Sequence, residues 1–206
     1  LGDHDFFGSS FAETDRQMAE LRRKSGNLYH LAGDTIVPLS DDTALIGHRG
    51  WGDAGAGLGA KTWLANPDFG QIQDFCHLSK TRRFEKLHQL GAESAAALRA
   101  VLPYALKCYR RVIISTHVPH ITESALFNNK PCWPTLQPFL VNASLGCLIY
   151  RMAGLHPRCQ MTVLAGHTHS PVSVDIKDNL RVRVGAGRTG GAFYTMLADA
   201  NLALRS

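Results

Sequence analysis

Apolar positions along the chain alternate between a helical period and short continuous runs, and this alternation predicts an α/β protein. Phe11, Met18 and Leu21 share one helical face in a stretch that Ser9 or Ser10 can cap and Gly26 can stop, which predicts a helix over Phe11–Lys24. Residues 28–31 and 36–39 are apolar runs flanking Gly33-Asp34 and read as a hairpin; a turn at Asp41-Asp42 then leads into a strand over Thr43–Gly47. Residues 69–76 and 80–90 are moderately helical and polar, which predicts an excursion over the surface. Residues 92–107 carry a stripe of Leu98, Val101, Leu102, Ala105 and Leu106 that predicts a buried helix, with Pro103 marking a kink or a late boundary. Leu145, Leu148, Ile149 and Met152 predict another inward helix face over residues 142–155.

Two strands stand out by their composition. Residues 111–116 form a β-branched run, expected to be buried on both faces, that ends on His117; residues 160–165 form another that runs into Gly166-His167-Thr168-His169. In an open α/β sheet, ligands gather beyond the carboxyl ends of the strands, and His117, His167 and His169 would all project there. Imidazole is the commonest metal ligand, and a glycine before the pair lets the backbone aim the two rings at separate points. By itself the Gly-His-Thr-His segment fits a surface turn as well as a ligand pair. The tail predicts strands over residues 172–176, Leu180–Val184 and residues 194–198, with a hairpin turn at Asp178-Asn179. Residues 121–139, with three prolines and Asn128-Asn129, read as an irregular loop.

With 206 residues the chain suits one domain. A net charge of +5 permits an anionic partner, but the basic residues form no stripe with interleaved aromatics, so nucleic acid is not indicated. Five cysteines without a Cys-x-x-Cys pair fit reduced thiols in the cytoplasm better than a disulfide framework. No apolar run reaches the roughly 18 residues that a membrane span needs, so no membrane partner is expected. The Gly-rich segment 47–57 is a loop, either a connector or a place where the backbone approaches a ligand.

The order Gly2-Asp3-His4-Asp5, then His117 after an apolar strand, then Gly166-His167-Thr168-His169, resembles the later motifs of the calcineurin-like metallophosphoesterase superfamily. The resemblance implies an α-β-β-α sandwich of mixed sheets and a centre of two divalent metal ions, Mn, Fe or Zn. It implies hydrolysis of a phosphate mono- or diester, from a small molecule or a phosphoprotein, by metal-activated hydroxide. Taken residue by residue, it puts Asp3, His117 and His167 on the second metal and His169 on the first. His4 would meet the phosphate and protonate the leaving group, and Asp5 would orient the loop or His4. Trp51 and Asp53 resemble a segment near the active-site rim, although core packing of Trp51 fits the sequence equally well. His48 and His120, beside strand ends, are candidates for contacts behind the ligands or with the substrate.

Two departures shape the expectation. Asp3 stands where the family has asparagine, which adds negative charge to the site, and the family's Asp-x-His and Gly-Asp motifs are absent. Residues 1–206 are therefore expected to be a single metallophosphoesterase-like domain lacking its N-terminal strands. A catalytically degenerate metal-binding or scaffold protein of the same fold is the alternative.

Overall fold

The computed structural model describes residues 1–187. The chain begins with a 3-10 turn, Asp3–Phe6, and the helix α1 (Phe11–Lys24). Ser10 caps α1, its Oγ accepting the Glu13 N–H at 3.2 Å, and Arg22, Arg23 and Lys24 in the last turn face the negative end of the helix dipole. Leu21 is 52% exposed, so the inward face of α1 is carried by Phe11 and Thr14 rather than by the longer stripe the spacing predicts.

The centre is a six-stranded mixed sheet in the order β1-β2-β3-β6-β8-β7. Its members are β1 (Val37–Pro38), β2 (Thr43–Gly47), β3 (Arg111–Ser115), β6 (Gln160–Ala165), β7 (Val172–Lys177) and β8 (Leu180–Val184). The four inner strands are parallel, and β1 and β7 close the edges antiparallel. The first hairpin is not centred on Gly33-Asp34. Residues 36–39 find their partner in β2, because Asp42 holds the turn by accepting from the Ser40 and Thr43 hydroxyls, and residues 28–31 join no strand. At the far edge, Asn179 tightens the β7–β8 turn by donating to the carbonyls of Ala153, His156 and Cys159.

Two helices cross between the parallel strands: α3 (Lys80–Cys108) links β2 to β3, and α5 (Ala143–Leu155) links β3 to β6. Strands added in one direction with crossovers of one hand place their helices on the same face. The burial agrees: Ile46, Val112, Ile114, Met161, Val163 and Val182 pack with Leu98, Leu102, Leu145 and Ile149 in one core. Strand β3 is therefore buried on one face, not both, with Arg111, Ile113 and Ser115 half-buried on the other. Helix α3 joins the two helical stretches read from the sequence and continues past Pro103 to Cys108.

Residues 69–90 are not a surface excursion. Phe69 (on α2, Asp68–Gln71), Ile72, Phe75, Phe84, Leu87 and Leu90 are buried in a second core with Phe6, Phe11, Trp51 and Phe139. The apolar residues are diluted by charges that line the outer side of α3, and this hides the pattern in the sequence. Residues 121–139 also gain structure, a hairpin of β4 (Leu126–Phe127) and β5 (Lys130–Pro131) followed by α4 (Gln137–Leu140). Asn128 and Asn129 both adopt positive φ (51° and 58°), as the tight two-residue hairpin turn requires. The strand expected over residues 194–198 lies outside the described residues. Among the described residues no helix is long and apolar enough to cross a membrane. The fold is thus mixed α/β, and the described part presents one large sheet with α3 and α5 on a single face.

Candidate metal centre

The 3-10 turn at the start of the chain sorts its side chains by its period of three. Asp3 and Phe6 eclipse each other and point inward, while His4 and Asp5 face solvent. Phe6 is fully buried against Phe11 and Trp51, at ring-centroid distances of 5.0 and 5.8 Å, so the aromatic core fixes where Asp3 sits. Asp5 closes the turn by accepting the Gly2 N–H at 2.7 Å. Gly2 must be glycine at this point: a Cβ there would stand 2.7 Å from Cε1 of His117.

His117 follows β3, and His167 follows β6, at the carboxyl ends of two adjacent parallel strands. The ladder extends just far enough to register them. Thr116 N–H donates to Leu164 O, and Gly166 N–H to His117 O at 2.7 Å. There the backbone turns sharply: Thr168 N–H donates to Gly166 O across His167, whose φ is +65°. This is the rare positive-φ γ-turn, a strained conformation of the kind that persists where surrounding structure imposes it. The turn falls on His167 itself and not on Gly166, which is the reverse of the sequence expectation.

Three ligand-type atoms converge. His117 Nε2 lies 2.7 Å from Asp3 Oδ1 and 3.0 Å from His167 Nδ1, and His167 Nδ1 lies 3.6 Å from Asp3 Oδ1. His117 Nε2 thus sits within hydrogen-bond distance of both other atoms, and the three ligand-type atoms share a space that a single cation would satisfy. Donor atoms arranged tetrahedrally at about 2.1 Å from an ion are roughly 3.4 Å apart, so the observed spacing fits an ion after small ring movements. The side chains are 12%, 20% and 13% exposed for Asp3, His117 and His167, nearly dry but open on one side. Burial would raise the Asp3 carboxyl, but hydrogen bonds and charge interactions with His117 and His167 outweigh it and hold the group far below the ordinary carboxylate range. Burial lowers the His117 imidazole despite the Asp3 contact, so Asp3 is ionised and His117 neutral at pH 7. Those are the protonation states a metal ligand needs.

The remaining expected site residues lie differently. His4 is exposed at the rim, its Nε2 3.8 Å from Asp3 Oδ2 and its ring against Phe7. His169 is exposed, with φ +55°, and stands outside the three-residue group, its ring against the backbone of Gly187. His120 is buried behind the site, its Nε2 3.0 Å from Thr116 Oγ1, and burial pushes it down to about 4. His48, also lowered by burial to about 4, accepts the Gly50 N–H.

The Gly-rich loop is tightly packed. Its backbone packs on its own chain, and a Cβ on Gly52 would lie 2.2 Å from Phe139 O. Trp51 is a core residue, 4% exposed. The buried Asp53 carboxylate anchors the loop to the start of α5, accepting Ala143 N–H at 3.1 Å, Ser144 N–H at 2.8 Å and Gly55 N–H at 2.9 Å. Asn142 Oδ1 takes the Leu145 N–H, so the first three donors of the helix are all satisfied.

Two residues near the site were missed in the sequence. Arg49 O accepts the His117 N–H at 2.7 Å, while its guanidinium pairs with Asp15 at 2.6 Å and lies over Phe6 and Phe11. It ties the turn that bears Asp3 to the loop that bears His117. Asp68 is a buried carboxyl held by Asn66, raised by burial and then by the charge of Asp3. Neither carries a sequence signal beyond charge in a loop or turn. Comparison with protein-family models, with curated proteins and with solved structures returned no match.

Proposed function

We propose that the chain is a metal-dependent phosphoester hydrolase of the calcineurin-like metallophosphoesterase type, and that its six-stranded sheet is one sheet of an α-β-β-α sandwich. The observation that carries this reading is the convergence of Asp3, His117 and His167 at the ends of adjacent parallel strands. A divalent ion held by these three side chains supplies Lewis acidity toward a phosphoryl oxygen and lowers the pKa of a bound water.

The chain's own residues would perform the rest. Asp3 contributes the negative charge that favours a cation over a proton in the site. His117 and His167 present neutral nitrogens held in place by the main chain rather than by flexible stems. His4, exposed with Nε2 3.8 Å from Asp3 Oδ2, would donate a proton to the departing alkoxide. His169, two residues beyond His167 and outside the three-residue group, would offer a ligand for a second ion in the two-ion arrangement.

Hydrolysis of a chromogenic phosphodiester or phosphomonoester with added Mn, Fe or Zn tests the proposal. Turnover should require the metal and vanish in His117→Ala. A metal-loaded protein without turnover, or full turnover in that variant, would remove the assignment. A second reading, a metal-binding scaffold of the same fold, is favoured by one observation: the described residues contain a single three-ligand group, with His169 outside it. It predicts one bound ion per chain and no hydrolysis.

A further inference from the structure

Two of the three tryptophans are on the outside. Trp63 is 79% exposed and Trp133 is 65% exposed, with Leu58 (43%) and Phe127 (40%) beside them in the sequence. The segments bearing these side chains are joined edge to edge. Leu58 N–H donates to Pro134 O at 2.9 Å, Thr62 Oγ1 donates to Thr135 O at 2.6 Å, and the Phe127 and Trp133 rings lie 6.2 Å apart. The result is a pair of adjoining segments that together expose four large apolar side chains. Exposed apolar side chains scattered singly need no explanation, but a group of this size on adjoining segments does.

Its charge is one-sided. Residues 56–67 and 126–137 contain Lys61 and Lys130 and no aspartate or glutamate. Lys80 joins them, donating to Thr62 O at 2.7 Å. Both segments are also rigidly backed: Thr62 is fully buried, Cys132 nearly so, and the β4–β5 turn is held to the loop after β6 by Asn129 N–H donating to Ser170 Oγ. Ser170 follows His169, so this surface is tied to the loop that also bears His167.

We propose that this surface binds the face of a bilayer rich in anionic phospholipid. Indoles prefer the headgroup level, where an apolar ring meets a wet boundary, and lysines beside them gain from the negative surface potential. The absence of carboxylates in both segments fits an anionic surface, since a protein partner of mixed charge would not require it. The binding is peripheral, with side-chain tips entering the interface and no segment crossing it. It does not depend on the hydrolase reading, because it involves none of the metal-site residues.

The test is co-sedimentation of the whole chain with vesicles of phosphatidylcholine alone and of phosphatidylcholine with phosphatidylglycerol, while tryptophan emission is recorded. The expected result is binding to the anionic vesicles with a blue shift, weakened by salt and at least roughly tenfold weaker in Trp63→Ala/Trp133→Ala. Both rings are exposed, so this variant should melt like the parent, and a matched melting curve accompanies the binding data. Lys61→Glu/Lys130→Glu should reduce binding to anionic vesicles and leave the fold intact. Absence of binding to anionic vesicles, or binding unchanged in the tryptophan variant, overturns the proposal. So does concentration-dependent self-association that the tryptophan variant abolishes, which would assign the surface to a second copy of the chain.

Discussion

Replacing Asp53 by alanine removes a carboxylate that touches no substrate position yet holds the Gly-rich loop to α5. Its two oxygens accept three backbone N–H groups at 2.8 to 3.1 Å, two of them from the first turn of α5. Losing a side-chain cap costs up to about 2 kcal/mol, and losing a negative charge at a helix N-terminus about 1 kcal/mol more. Relief of the carboxylate's own desolvation and entry of water work against part of this, so the expected net loss is about 2 kcal/mol. For a chain of this size that corresponds to a fall in Tm of roughly 4–8 °C. Asp53→Asn keeps one acceptor but turns an amide NH2 toward a backbone N–H, and should fall between alanine and the parent. The same anchor sets the loop from which Arg49 O receives the His117 N–H, so metal affinity should decline together with stability. Urea titration followed by circular dichroism gives the first quantity and calorimetric titration with Zn the second. A loss below about 1 kcal/mol in Asp53→Ala would refute the claim that this carboxylate anchors the loop.

Other outcomes follow from the same geometry. Gly2→Ala should push the His117 ring from its place and weaken metal binding by about tenfold or more, with little change in the unfolding midpoint, as calorimetric titration beside a melt would show. His120 has a folded-state pKa of about 4 against 6.5 for the ordinary imidazole. Its contribution is fully present above pH 6.5 and is lost as the pH falls toward 4, a total of about 3 kcal/mol. Urea midpoints between pH 7.5 and 4 should therefore fall more steeply in the parent than in His120→Gln. Asp3→Asn removes the carboxylate of the three-ligand group, so divalent-ion affinity should drop by about tenfold or more at pH 7, measured by competition with a chromophoric chelator.

The sequence and the structure agree where local pattern and long-range packing ask for the same thing. The strands β3, β6 and β8 and the helices α1 and α5 are short periodic units with clear stops, and they lie where their apolar spacing places them. The histidines after β3 and β6 could be picked out because a core strand rarely ends on imidazole. What could not be read depended on partners distant in the chain. Residues 69–90 look polar because α3 shows charges on one side, yet Phe69, Phe75 and Phe84 meet Phe6 and Trp51 across the fold. The first hairpin was misplaced because Gly33-Asp34 is the stronger turn signal, whereas the pairing of β1 with β2 decides the outcome. Arg49 left no trace because its role runs through a carbonyl and two aromatic faces. Asp53 was noticed for its neighbours in a motif, but its work is to cap a helix some 90 residues later in the chain.

The central claim is that Asp3, His117 and His167 form a cation site, and equilibrium binding of Zn and Mn measures it most directly. The account predicts saturable binding that is abolished in His117→Ala and in His167→Ala while both variants keep the parent's circular dichroism. Binding of equal strength in the folded His117→Ala variant, or no binding by the parent, would contradict it.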